Sequence, residues 1–156
     1  MPDNPRDRDV VAWSEQQAEA LRRYADQHPD VAIDWPRVID TVERAGRGLL
    51  NEIEAEIVRA LYWHLMLATY PEAANRREWQ AAAERGRRVS RTHMAAGTRP
   101  RIDLRRLYAR AMREVRHLGP IGAVEPRALR GECPISFDDW LGEDLDAEAL
   151  LRRMRA

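Results

Sequence analysis

The feature that most limits what this chain can fold into is the spacing of its apolar residues, three and four apart, broken mainly at proline and glycine. That period is helical, and no stretch alternates apolar and polar residues between turn clusters as a half-buried strand would. Val10, Trp13, Gln17, Leu21 and Tyr24 mark a first helix that stops before His28-Pro29. Asp34 is placed to cap a second, whose first turn tolerates Pro36. Val38, Val42, Leu49, Ile53, Ile57, Leu61, His64 and Leu65 then form one stripe ending near Tyr70-Pro71. Gly46 and Gly48 interrupt it. A glycine costs roughly 1 kcal/mol in a helix interior relative to alanine, so the pair predicts a kink or break and two helices.

Asn75-Arg-Arg-Glu78 reads as a capping box. It opens a helix with Trp79, Ala82, Ala83, Gly86, Val89 and Met94 on one side, closed by Gly97 and Pro100. Leu104, Leu107, Tyr108, Ala111, Met112, Val115 and Leu118 make the clearest stripe, stopped by Gly119-Pro120. A short helix capped by Ser136, with Asp139 at the box position, precedes a terminal helix from about Asp146. The pattern predicts an all-α fold, a compact bundle of about five to seven helices with short connections. It reads as a single helical domain over residues 1–156, with the bundle core at about 9–118 and a less regular C-terminal segment, 119–156.

A chain of 156 residues can bury a core without a disulfide or structural metal. The lone Cys133 excludes an intramolecular disulfide, and with no secretory leader it points to a reducing cytoplasm. The longest apolar stretch, around Ala60 to Tyr70, is interrupted by His64 and too short to span a bilayer, so no membrane partner is expected. The formal net charge is zero, but it is segregated. Residues 1–75 carry 8 arginines against 14 acids, residues 76–116 carry 13 against 4, and residues 117–156 carry 5 against 8. All 26 basic residues are arginine. A GC-rich genome is the plainer reason; the alternative is selection for planar donors that grip phosphate or carboxylate.

Few residues fall into a pattern that chemistry requires. Glu114-Val-Arg-His117 puts a carboxylate and an imidazole one turn apart, but a carboxylate-bridged di-iron bundle needs two such pairs and this chain supplies one. Glu52 and Glu56 flank the buried-side Ile53 and Ile57 and are expected to face solvent. Cys133 and the four histidines, His28, His64, His93 and His117, show no zinc-site spacing. Ser14, Ser90 and Ser136 lie in no nucleophile turn, and Gly46-Arg-Gly48 lacks the strand and third glycine of a dinucleotide fingerprint. No catalytic residue, cofactor or metal is assigned on this basis.

The remaining candidates are His64, Trp79, Arg87, Arg106, Arg110, Arg113 and Cys133. His64 lies on the core stripe, where a hydrogen-bonded structural histidine competes with a ligand-binding or proton-handling one. Cys133 could be a reactive thiol, though a buried free cysteine is commoner. Trp79 and the other four tryptophans read as core anchors rather than a base-stacking platform. Arg76, Arg77, Arg87, Arg88 and Arg91 lie away from the apolar side of their helix, as do Arg106, Arg110 and Arg113 on the next. Such faces suit phosphate backbone, or acidic surface on the same chain or on a second copy. No aromatic residue is interleaved on them.

Taken in order, several landmarks resemble DUF29, a bacterial family of unknown function abundant in cyanobacteria and found in proteobacteria. They are Trp13 with Gln16-Gln17-Ala18 and Leu21-Arg22, Asp34-Trp35 with Glu43 and Gly46, His64-Leu65, Trp79, Arg87-Arg88, Tyr108 with Ala111, and Cys133-Pro134 with Leu141. The likeness runs from about Asp9 to Leu141. Where the family usually has Lys-Trp-Gln after its histidine motif this chain has Leu67-Ala68-Thr69, and where it has Glu-Gln before the arginines this chain has Arg85-Gly86. The resemblance implies a helical fold and brings no activity with it. The expectation is therefore a non-enzymatic interaction module, joined to a protein partner or to itself. Nucleic-acid binding through the Arg-rich helices 76–116 is the first alternative, and an enzyme using His64 or Cys133 the second.

Overall fold

The computed structural model describes residues 9–117, 126–142 and 146–156. Among them are six α-helices: α1 (Val10–Gln27), α2 (Trp35–Thr69), α3 (Arg76–Thr92), α4 (Leu104–His117), α5 (Phe137–Leu141) and α6 (Ala147–Met154). A 3-10 turn, Arg99–Arg101, precedes α4, and one isolated antiparallel bridge joins Leu129 to Arg155. No strand occurs among the described residues, so the all-α expectation holds. The expected helix stop at Leu118 and Gly119-Pro120 lies outside the described residues.

The chain divides into two compact units. The first comprises the described residues up to Ile53 together with Met94–Ile102; the second comprises Glu54–His93 and the described residues from Asp103 onward. In the first unit Asp9 caps α1, its carboxylate accepting from the Ala12 N–H at 2.9 Å and from the Gly97 N–H at 2.6 Å. Arg101 pairs with Glu15, and Arg22 of α1 pairs with Glu43 of α2. Asp34 caps α2 as expected, accepting from the Arg37 N–H at 3.2 Å.

The predicted break at Gly46 and Gly48 is absent, and α2 runs unbroken for 35 residues. Gly46 is there for closeness rather than for a bend. A Cβ at this position would overlap the Ser14 hydroxyl and sit 3.0 Å from the Ser14 Cβ, so the missing side chain lets α1 and α2 pack tightly. The buried line of α1 is accordingly Val11, Ser14 and Ala18, whereas Gln17 and Tyr24 of the predicted stripe are exposed. Val38, on the predicted α2 stripe, is also exposed.

The second unit is built on the later half of α2, where Ile57, Leu61 and Leu65 are fully buried. Tyr108, Leu107, Trp140, Leu150 and Met154 are buried to the same degree, so the described C-terminal segment contributes core of its own. Backbone bonds fasten it: Arg127 N–H to Thr69 O at 2.9 Å, Arg130 N–H to Met154 O at 2.9 Å and Ala156 N–H to Ala128 O at 3.1 Å. Three expectations for α3 fail. Asn75 makes no side-chain cap bond, so the box is absent, and the helix ends at Thr92 rather than at Gly97 and Pro100. Its buried line is Trp79, Ala83, Gly86, Arg87 and Ser90, rotated from the predicted one because an arginine and a serine both find partners inside. The box at Ser136–Asp139 forms as expected, and the terminal helix begins as expected after Asp146, whose side chain caps it.

Gly86 brings α3 against α2, since a Cβ there would lie 2.8 Å from the Ala60 Cβ and 3.3 Å from its Cα. Neither atom can swing aside. A Cβ at Gly48 would meet no described atom within 4 Å. Gly86→Ala should therefore destabilise the protein by about 1–3 kcal/mol through overpacking, outweighing its helix-propensity gain. Gly48→Ala should stabilise it by up to about 1 kcal/mol. Urea denaturation of the two variants reads both signs.

Candidate functional site

The candidates sort into a buried cluster, a half-buried cysteine and an open groove, all within the second unit. His64 anchors the first. Its Nδ1 lies 2.7 Å from the Ala60 carbonyl one turn back on α2. A carbonyl only accepts, so Nδ1 carries the proton of the neutral ring and Nε2 keeps its lone pair. The ring stands edge-on to Trp140 of α5, with centroids 5.6 Å apart. Burial pushes the imidazole pKa down to about 4, opposed by the Ala60 hydrogen bond. His64 also lines a small pocket of about 80 Å³ with Gln80, Glu84 and the Arg76–Glu148 ion pair.

Arg87 corrects a sequence expectation. It was read as part of an exposed basic face, yet it is only 8 % exposed. Its Nε donates to the Trp140 carbonyl at 2.8 Å, and one terminal nitrogen donates to the carbonyls of Asp139 at 2.8 Å and Gly142 at 2.7 Å. These groups sit at the C-terminal end of α5, where helix carbonyls lack partners and a cation is favoured. Burial lowers the Arg87 pKa, with Arg91 adding to the effect and Asp139 opposing it. Asp139 meanwhile closes the box with Ser136 and pairs with Arg153 at 2.8 Å.

Cys133 is half-buried and its thiol donates to the Ile135 carbonyl at 3.4 Å. Burial pushes its pKa up, the opposite of what a nucleophilic thiolate needs. Tyr108 donates its hydroxyl to the Arg130 carbonyl at 2.8 Å, and its pKa is pushed up to about 12, chiefly by burial and secondarily by Cys133. Among the described residues no three histidines, cysteines or carboxylates group as metal ligands. Glu114, from the Glu-x-x-His pair, faces Arg110 at 3.5 Å instead.

The open groove was not foreseen. Ala55, Val58, Arg59, Tyr62 and Trp63 of α2 form one wall, Arg110 and Glu114 of α4 the other, around a space of about 360 Å³. Trp63 carries Tyr62 edge-on at 4.8 Å and lies 6.1 Å from Trp79, which is buried behind it. No aromatic is interleaved on the basic face of α4 itself, but α2 brings Tyr62 and Trp63 beside its Arg110. The signal was the spacing of Ala55, Val58, Arg59 and Tyr62, a second stripe beside the Ile53–Ile57–Leu61 one. Arg59 pairs with Glu56 and Arg106 with Glu54, whereas Arg113 is exposed.

The profile of the family described as "Domain of unknown function DUF29" matches residues 6–145. The chain belongs to the DUF29 family. A crystal structure of an alpha-helical protein of unknown function from Rhodospirillum rubrum ATCC 11170 is similar over 99% of both chains, with a TM-score of 0.85 and 25% sequence identity. No curated protein matches. Among the described residues no helix is long and apolar enough to cross a membrane. In this DUF29 chain the landmark Arg87 holds the end of the helix that contains the landmark Leu141, and the landmark His64 supports Trp140 beside it.

Two measurements follow from this cluster. His64 is charged in the unfolded chain below about pH 6.5 but stays neutral in the fold down to about pH 4. Its contribution is therefore complete above pH 6.5 and is lost as pH falls through that window, a drop of roughly 3 kcal/mol. Chemical denaturation at pH 7, 5.5 and 4 should show this slope, and His64→Gln should flatten it. Arg87→Lys cannot reach all three carbonyls and should cost about 2 kcal/mol in the same assay at pH 7.

Proposed function

We propose that this DUF29 protein is a non-enzymatic interaction module of the bacterial cytoplasm that self-associates, using the α2–α4 groove as its docking face. The observation that carries this reading is the groove itself: half-buried Tyr62 and Trp63 beside Ala55 and Val58, with the exposed Arg59, Arg110 and Glu114 around them. An aromatic centre inside a charged rim is the make-up of a protein interface. Charge segregation supports a second copy as the partner. α4 carries 5 arginines against 1 acid, while residues 9–53 carry 5 against 9. The hydrogen-bonded Cys133, its pKa raised by burial, argues against a thiolate nucleophile.

Nucleic-acid binding draws on the same aromatic and arginine side chains, since bases stack on aromatics while arginines follow the phosphates. Glu54, Glu56 and Glu114 stand among those arginines and oppose a polyanion. Protein surface is the better fit. Sedimentation velocity over a concentration series should show wild-type protein assembling. Arg59→Glu combined with Arg110→Glu should weaken assembly at least tenfold, or by roughly 1.4 kcal/mol. An unchanged mass distribution in that variant sinks the groove as a docking face. Salt-sensitive binding of the wild type to a fluorescent oligonucleotide, without self-association, favours nucleic acid instead.

A further inference from the structure

The large apolar side chains exposed among the described residues gather in one place. Tyr24, Val31, Ile33 and Val38 all lie between the end of α1 and the first turn of α2, with Tyr24 48% and Ile33 45% exposed. This tip is held in shape rather than loose. His28 stacks on Tyr24 at 4.0 Å, and Tyr24 meets Trp35 edge-on at 5.5 Å. Successive backbone bonds, Val31 N–H to His28 O at 3.3 Å, Ile33 N–H to Val31 O at 2.7 Å and Trp35 N–H to Ile33 O at 2.9 Å, fix the turn between them. A preformed apolar knob loses little freedom on docking, and one rimmed by polar groups marks an interaction site.

The rim tells which partner. Residues 24–38 carry Asp26, Asp30 and Asp34 against Arg37 alone. An acidic apolar knob is repelled by phosphate and by anionic lipid, and is attracted to an apolar surface edged with arginine. The groove already described has that character, with Tyr62 and Trp63 inside and Arg59 and Arg110 at its edge. We propose that the tip of one copy docks into the α2–α4 groove of another. The proposal rests on the groove reading and adds the element that fills it. Because knob and socket are different surfaces, two copies can exchange tips in a closed dimer, or the contact can repeat from copy to copy.

Complementation between two variants tests this. Val31→Ser with Ile33→Ser blunts the tip, and Arg59→Glu with Arg110→Glu disables the groove. All four positions are exposed, and circular dichroism checks that both proteins fold. By sedimentation velocity the wild type should self-associate, each variant alone should be monomeric, and an equimolar mixture should form a 1:1 dimer and nothing larger. A tip variant that assembles like the wild type overturns the tip proposal while leaving the groove reading intact if the groove variant is monomeric. A groove variant that still dimerises, with a monomeric tip variant, means tip-to-tip pairing and overturns both. A wild type that is monomeric at every concentration also overturns both.

Discussion

A buried guanidinium organises the C-terminal part of the second unit. Arg87 reaches from α3 to three carbonyls at the end of α5, of which the Trp140 carbonyl is buried. Burying an arginine is costly unless its hydrogens are used, and here the acceptors are backbone atoms whose positions the chain fixes. The bond set therefore works in both directions: α3 cannot rotate without exposing unpaired carbonyls, and α5 cannot drift without leaving a buried charge. Trp140 is held at the same point and sits edge-on to His64, so the later half of α2 joins the same arrangement.

Helix positions were legible in the sequence because capping and periodicity are local. The Asp34 and Ser136 caps, the stop before His28-Pro29 and the α4 stripe all depend on residues within a turn or two of one another. The failures share a non-local cause. Gly46 looked like a helix breaker because its partner, Ser14, is 32 positions earlier in the chain, and only packing reveals that glycine is needed for proximity. Arg87 looked like a surface charge because its acceptors come more than fifty residues later. No window of sequence contains both halves of either contact.

The same distinction explains the candidate residues. His64 and Cys133 were singled out by residue type, which says that a proton or thiol is available and nothing about its surroundings. The fold supplies those: a backbone acceptor for each, and enough burial to keep both uncharged. The groove went unseen for the converse reason. Tyr62 and Trp63 belong to one helix and Arg110 to another, and a stripe count made helix by helix keeps them apart. The DUF29 landmarks fall in both units: Gly46 marks the α1–α2 packing, His64 and Arg87 the cluster at α5, and Asp34-Trp35 the tip, whereas the groove residues Tyr62, Arg59 and Arg110 lie off them.

The contact of Gly86 with Ala60 has a consequence for how this sequence can change. Two small residues share one fixed volume between α2 and α3, so the occupants of positions 60 and 86 are not independent. Enlarging residue 86 is harmful on its own, and shrinking residue 60 to glycine removes the closer of its two tight contacts, which makes the two substitutions non-additive. A lineage can pass the missing methyl from one helix to the other only through an intermediate that either clashes or leaves a gap. The order in which the two changes arise then decides whether the path is open.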